Sequence, residues 1–580
     1  MTRGEDDLRV RPGKGRSRGS GSVKPLSLAG QVKRAAARAG FARRSVRRGG
    51  GTGRLGRGRG AALRDRRSAA SRRVIVKARI VRHSGQRFRA APLARHIAYL
   101  ERDGVTRDGR DASMFDARSD QTSGDAFAGR CADDRHHFRF IVSPEDAGEL
   151  ADLKTFTREL MGDMSKDLGT RLDWVAVDHW NTDNPHVHIL VRGVAEDGAD
   201  LVIDRGYISQ GLRDRAEARV TLELGPRSER EIQRALGQEV EADRWTRLDR
   251  ALRSRASEDG IVDLRPEAGA APDRRTLLLT GRAQKLERLG LTSPAGPARW
   301  ALKPDIEARL RELGHRGDII KSMHRAMREA GHAIHEGRLA IHPPGAPEPV
   351  VGRLVARGLQ DELTGTAYAI VDGVDGRHHH LRLGDLELTG DASAGAIVEL
   401  RGWQDRSGVQ RSALAVRSDL PLDKQVTARG ATWLDRQLLA RDFTPASLGF
   451  GAEVRDAMTA REDHLVAQGL ATRTGRRVTL APNLIDTLRS ADLREASARI
   501  AASTGLAPYE PAPGSTIAGT YRERVTLASG RFAMIDDGLG FQLVPWRPAL
   551  DRQLGQAVTG TMAAGGGIDW TIGRSRGLGI

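Results

Sequence analysis

An α+β fold is predicted by three observations on the 580-residue chain. Runs of alternating, β-branched residues lie in hairpin-like order, helical stretches fall between and after them without a βαβ rhythm, and the C-terminal half repeats itself. The expected architecture is a central antiparallel sheet with flanking helices, followed by helical, winged-helix-like and small β-barrel-like modules.

Residues 1–73 come first. They hold 19 Arg and 3 Lys against 4 acids (Glu5, Asp6, Asp7, Asp65), so 22 − 4 = +18 of the net charge of +19 sits there and 19 − 18 = +1 remains for the rest. A segment rich in Gly, Arg and Ser cannot bury a core. A disordered basic arm is expected, binding polyanions by counterion release. The alternative is a start of translation further in, because the sequence becomes domain-like only near Val74.

Residues 73–82 alternate and are β-branched, which predicts a strand. Residues 92–102 predict a helix opened by Pro92, and residues 103–130, rich in Asp, Gly and Ser, a long loop. Residues 135–142 predict a strand. Ser143 then reads as an N-cap, with Pro144 in the first turn of a helix running to about Leu168. The apolar runs 174–179 and 186–193 predict a hairpin turned at Asn184-Pro185. A short strand at 201–203 and helices over 207–256 follow. One domain is therefore expected over 74–225, with a helical linker over 226–272.

Beyond the linker, Leu286-Glu-Arg-Leu-Gly-Leu291 recurs as Leu465-Val-Ala-Gln-Gly-Leu470. Each copy precedes a Gly-containing turn, a basic β-run and then Leu302-Lys-Pro304 or Leu480-Ala-Pro482. The stretch 352–372 resembles 519–536 in the same way. Two tandem units are expected, with winged-helix-like modules at 273–348 and 421–505 and β-barrel-like modules at 349–420 and 506–580. Winged helices bind duplex DNA or serve as protein contacts. The histidines 378–380 read as a solvated turn after Gly376.

Hydrophobic residues make up 39% of the chain, enough for real cores, and no apolar run is long enough to span a bilayer. The single cysteine, Cys131, excludes a disulfide framework and a cysteine zinc site, and nothing marks it as a nucleophile. A cytoplasmic protein without membrane insertion is expected.

The hairpin carries the chemistry. His186 and His188 are two residues apart on a strand, so they share a face, and His179 ends the preceding strand. Three imidazoles converging on a divalent cation leave open coordination positions, as a catalytic metal needs. A nucleophile should lie nearby. Tyr99, on the predicted helix 92–102, can attack a phosphodiester and hold the product covalently. Its proton needs an acceptor, for which Asp178, Asp183 and metal-bound water are candidates.

Taken together, His-Ile-Ala-Tyr99-Leu-Glu-Arg, Phe-Arg-Phe-Ile-Val-Ser143-Pro and His179-x6-His186-x-His188 resemble, in the same order, the signatures of the relaxase (mobilisation nuclease) family of histidine-rich-motif endonucleases. The C-terminal half resembles an extension found in one branch of that family. The resemblance covers about residues 74–225. It implies a conjugative relaxase that nicks one DNA strand at an origin of transfer. The enzyme would stay linked to the 5′ phosphate through Tyr99 and travel with the strand through a type IV secretion channel. It further implies that His179, His186 and His188 hold Mg2+ or Mn2+, and that Ser143 contacts DNA near the nick, with Arg102 and Asn181 completing the contact set. Implied partners are single-stranded origin DNA, accessory origin-binding proteins and a secretion coupling protein. Many relatives have Asp two residues after the first histidine. Asn181 stands there in this chain and cannot act as a base at neutral pH, so Asp183 becomes the expected proton acceptor. A replication initiator or transposase with the same chemistry, and a non-catalytic winged-helix DNA-binding regulator, are the competing expectations.

Overall fold

The computed structural model describes residues 56–59, 70–83, 91–103, 106–180, 184–267, 270–361, 363–512, 514–563 and 567–571. Most of the basic arm, and both Asn181 and Asp183, lie outside the described residues. The chain divides into two compact units, Met1–Ser322 and Met323–Ile580.

The first unit runs β1 (Val74–Arg82), α1 (Ala91–Asp103), α2 (Gly124–Arg130), β2 (His136–Pro144), α3 (Leu153–Leu168), β3 (Trp174–His179) and β4 (His186–Arg192). A π-helical turn, Tyr207–Gly211, leads into α4 (Leu212–Leu224), followed by α5 (Glu229–Val240) and α6 (Arg247–Arg255). Then come β5 (Ile261–Asp263), α7 (Arg274–Arg288), β6 (Thr292–Gly296), β7 (Arg299–Leu302) and α8 (Ile306–Glu329), in which the division between units falls.

The first four strands form an antiparallel sheet in the order β1-β2-β4-β3. Strand alternation sorts their side chains onto two faces. Val74, Val76, Phe138, Phe140, Val142, Trp174, Ala176, Val187, Ile189 and Val191 join α3 and α4 in one core. Val175, Val177 and Leu190 join Leu93, Ile97 and Leu100 of α1, and Phe127 of α2, in a second core on the opposite face. The sheet is thus covered by helices on both sides, and the central antiparallel sheet expected here is present.

Three local expectations need correction. Ser143 does not cap a helix: β2 continues to Pro144, paired with Val74, and the Ser143 hydroxyl donates to Pro185 O at 3.3 Å. The cap is Asp152, whose carboxylate accepts from the backbone N–H groups of Lys154 and Thr155. Ser-Pro-Glu-Asp satisfies the local cap pattern, but sheet pairing outcompetes it. The expected loop 103–130 contains α2, capped by Ser123. The stretch 201–203 forms only a bridge, Ile203 to Arg57, and no strand.

The second unit contains β8 (Leu339–His342), β9 (Val351–Asp361), β10 (Thr366–Gly373), β11 (His378–Leu383), β12 (Ile397–Gln404) and β13 (Gln410–Ser418). Next are α9 (Leu422–Thr427), α10 (Trp433–Leu439), α11 (Phe450–Ala467), β14 (Ala471–Thr474), β15 (Arg477–Leu480) and α12 (Leu484–Thr504). The unit ends with β16 (Ala507–Pro508), β17 (Thr516–Leu527), β18 (Gly530–Asp536), β19 (Gly540–Pro545), β20 (Ala557–Met562) and β21 (Ile568–Trp570).

The internal repeat is visible in the order of elements. Helix, hairpin and helix occur as α7-β6-β7-α8 and again as α11-β14-β15-α12. Each set precedes a six-stranded sheet, in the order β13-β12-β9-β10-β11-β8 and β21-β20-β17-β18-β19-β16. In each sheet the first strand in sequence pairs parallel to the fourth, β8 with β11 and β16 with β19. Gly352 and Gly519 recur at one crowded point, where a Cβ would collide with the carbonyl of Asp372 or Asp536. Neither sheet closes among the described residues, since the two end strands of each are not paired to each other. The β-barrel-like expectation is therefore corrected to open sheets. Alternation reports one buried face and is blind to closure.

Each repeat is also locked by one fully buried arginine. The Arg282 guanidinium donates to both carboxylate oxygens of Asp249 and to the carbonyls of Val240, Ala242 and Arg244. Arg461 does the same to Asp435 and to Val426, Ala428 and Gly430. Both aspartates sit in capping boxes, with Thr246 and Thr432.

Candidate metal centre

His179 closes β3, His186 opens β4, and the two are directly paired across the hairpin, with His188 two residues further on. Period-two alternation puts all three on the face that also presents Val175, Val177 and Leu190, toward α1. They are buried, at 3%, 0% and 4% exposure. Their ring centroids stand 5.3 Å (His179–His186), 4.6 Å (His179–His188) and 4.9 Å (His186–His188) apart.

Among the described residues this is the one group of three or more His, Cys, Asp or Glu side chains that could hold a metal ion. One ligand atom from each lies within 4.8 Å of the others. His186 Nε2 and His188 Nε2 are 3.1 Å apart. Two nitrogens ~2.0–2.1 Å from a shared cation, at the angles of tetrahedral or octahedral sites, stand ~2.9–3.4 Å apart, so the donor set fits such an ion.

Backbone carbonyls set the tautomers. His179 Nε2 is 3.0 Å from Leu100 O, and His186 Nδ1 is 3.0 Å from Asn184 O. A ring nitrogen facing a carbonyl must carry the proton, so in the neutral rings His179 Nδ1 and His186 Nε2 are the lone-pair nitrogens. Such outer contacts commonly orient metal-binding imidazoles.

The Leu100 contact also brings the C-terminal part of α1 against the triad. Tyr99, the adjacent residue, is half-buried and packs against the core on this face. Ser143 shares the face too, at 1% exposure, one position beyond the Val142–Val187 pair and so beside His186. The backbone of Arg102 lies in α1. Asp178 is excluded from this group. It follows Trp174 and Ala176 onto the opposite face, where its carboxylate accepts from Trp180 Nε1 at 2.6 Å.

Cys131 is buried, and burial pushes its thiol up to about 12, so it is no nucleophile. The histidines 378–380 are not a turn. They lie in β11, paired with β10 and β8, at 2%, 3% and 1% exposure. The turn is made by the residues before them, with Gly376 at φ 79°. His378 Nδ1 is 3.0 Å from Asp372 Oδ1, and His379 bridges Asp375 and His342.

Sequence reasoning missed a basic row on the triad face. Lys77 and Arg79 of β1 and Arg139 of β2 lie there, because their neighbours Val76, Phe138 and Phe140 face the other core. The same i, i+2 rule that selected the histidines would have found them.

The family described as Protein of unknown function (DUF3363) matches residues 279–413 and 403–579. No curated protein and no solved structure matches the chain.

Proposed function

The chain belongs to the family described as Protein of unknown function (DUF3363), a membership that names no chemistry, and from the site in the first unit we propose that it is a relaxase-type nuclease that nicks one DNA strand. The observation behind this is the buried triad His179, His186 and His188, with α1 and Tyr99 packed beside it. In this proposal the three imidazoles hold Mg2+ or Mn2+. The bound cation supplies Lewis-acid stabilisation of charge on the phosphate oxygens.

The remaining chemistry belongs to the chain. The Tyr99 oxygen attacks phosphorus in line. A Tyr–O–P bond forms and the P–O3′ bond breaks, leaving a free 3′ hydroxyl and a 5′-phosphotyrosyl link. Asp183 takes the phenolic proton and passes it on to the departing O3′, while Arg102, Asn181 and Ser143 contact the strand. The helix–hairpin–helix segments α7–α8 and α11–α12 act as winged-helix-like contacts to duplex DNA or to a secretion coupling protein. The setting is a bacterial cytoplasm, and the 5′-linked protein is exported with its strand. No helix among the described residues is long and apolar enough to cross a membrane.

The test is cleavage of single-stranded oligonucleotides tiled across the DNA flanking the gene, with Mg2+ or Mn2+, resolved under denaturing conditions. The expected result is a protein-linked 5′ fragment that Tyr99→Phe abolishes while DNA binding persists. Mn2+ should also raise the melting temperature of the wild type but not of the His186→Ala/His188→Ala variant, because a ligand of the folded state stabilises it. Adduct formation by Tyr99→Phe would remove Tyr99 from the mechanism. An Mn2+ response retained by the histidine variant would remove the metal site.

A further inference from the structure

We infer that the half of the histidine face formed by β1 and β2 is an anion site centred on Arg139, which holds a phosphodiester of the same single strand next to the one at the triad. This rests on the nuclease reading of the triad.

Among the described residues, the helices on this face pack on only half of the sheet. From the sheet, only Val175, Val177 and Leu190 of β3 and β4 enter the core under α1 and α2, and β1 and β2 contribute nothing to it. On their half of the face stand Lys77, Arg79 and Arg139. Register ties them to the triad. Lys77 pairs with Ile141, which pairs with His188, and Arg79 pairs with Arg139, which pairs with Leu190. Arg139 is thus one strand (~5 Å) and two residues (~7 Å) from His188, a step that a neighbouring nucleotide can span.

Two arginines directly opposite each other destabilise a sheet. Among the described residues no carboxylate relieves Arg139. Among the described residues its one side-chain hydrogen bond is from Nε to His137 Nε2 at 3.0 Å, and its two Nη groups meet no partner there. Burial first, and then the Arg79 charge, bring the guanidinium down to about 10, which leaves it cationic at neutral pH. An unpaired guanidinium that is mostly out of water is costly, and an oxyanion is the ligand that relieves it.

The guanidinium is also aimed. His137 Nδ1 is 2.8 Å from His83 Nε2, and His83 Nδ1 is 2.7 Å from Asp134 O. The carbonyl requires a proton on His83 Nδ1, so His83 Nε2 accepts from His137 Nδ1 and His137 Nε2 accepts from Arg139. Every link has one proton direction. Asp134 is itself held by Arg192 at 2.8 and 3.0 Å. This chain fixes Nε and leaves the two Nη groups as a fork suited to two oxygens of one phosphate.

The test is binding of a short labelled oligothymidylate to the full-length chain in EDTA, titrated at several salt concentrations including ~0.3 M, where exposed charges are well screened. Arg135→Gln serves as control. It removes the same charge from an exposed residue paired with Asp200. Arg139→Gln should weaken binding about 10- to 100-fold relative to that control and lower the salt slope by about 0.7. Arg139→Lys, which keeps the charge without the fork, should recover part of the loss and guards against a folding artefact. Equal affinity and slope for Arg139→Gln, Arg139→Lys and Arg135→Gln would overturn the anion site, even if the wild type nicks DNA. Arg139-dependent binding in a wild type that never nicks would support the anion site and remove the nuclease reading.

Discussion

An imidazole with no room for a proton makes stability depend on pH, and His137 is the clearest case in the chain. Burial first, and then the charge of Arg139 with His83 and His136 nearby, hold it well below the usual histidine range, at about 3. In the unfolded chain it titrates near ~6.5. Between these values the unfolded state binds a proton that the folded state refuses, so stability falls as pH drops from about 6.5 toward about 3. Each pH unit in this window costs about 1.4 kcal/mol from this group alone. Denaturant unfolding of the first unit should therefore be less acid-sensitive in His137→Gln, where the amide keeps one acceptor for Arg139 and one donor for His83. A pH profile parallel to the wild type would mean that His137 protonates in the folded state and that the proton directions along the chain are wrong. The clustering of His179, His186 and His188 was legible in the sequence because a period of two needs no knowledge of neighbours. Arg139 was not singled out, because its isolation depends on which residues β1 and β4 bring beside it.

At the level of elements, the two repeats each bury one arginine against one capping aspartate. The repetition is spatial, not merely sequential: Arg282 and Arg461 bond the carbonyls six, four and two residues before the capping threonine of their own repeat. The geometry joins three segments that local propensity alone would leave loosely packed. Removing the cation leaves a buried carboxylate and three carbonyls without it, so Arg461→Met should destabilise the second unit by about 3–5 kcal/mol, and Arg282→Met the first by a similar amount. Guanidinium denaturation followed by far-ultraviolet dichroism would read this, and a loss below about 1 kcal/mol would show that water or a shifted backbone replaces the guanidinium. The sequence revealed the repeat through its leucines and glycines, but not this lock, whose partners are backbone oxygens. Two other local misreadings have the same origin. Ser143 matches a helix cap until β1 pairs with the segment, and the histidines 378–380 look like a turn until β8 and β10 enclose them. Their replacement in the second repeat by Phe541, Gln542 and Leu543 shows that this strand forms without histidine.

Over the whole molecule, charge is concentrated at one end while the candidate chemistry sits inside the first unit, and the two can be separated experimentally. Residues 1–55 hold 12 Arg and 3 Lys against Glu5, Asp6 and Asp7, so 15 − 3 = +12. The boundary for a deletion is set by packing further along. Arg57 bridges to Ile203 and pairs with Asp197, and Arg72 is buried, bonded to Asp146, Thr221 and Gly225. A cut at residue 73 would remove these contacts together with the charge, so any change in DNA binding could come from damage to the fold. A chain beginning after residue 55 keeps them. Phosphate contacts set the slope of log K against log salt, at about 0.7 per contact for a single strand. The shortened chain should bind DNA more weakly at low salt and show a flatter slope, while the proposed metal-dependent nicking at saturating DNA stays within about twofold, because nothing in the triad, α1 or β2 has changed. An unchanged slope would mean that the first 55 residues do not engage phosphate, and that any affinity for DNA resides in the folded units, where Lys77, Arg79 and Arg139 would then be the first residues to test.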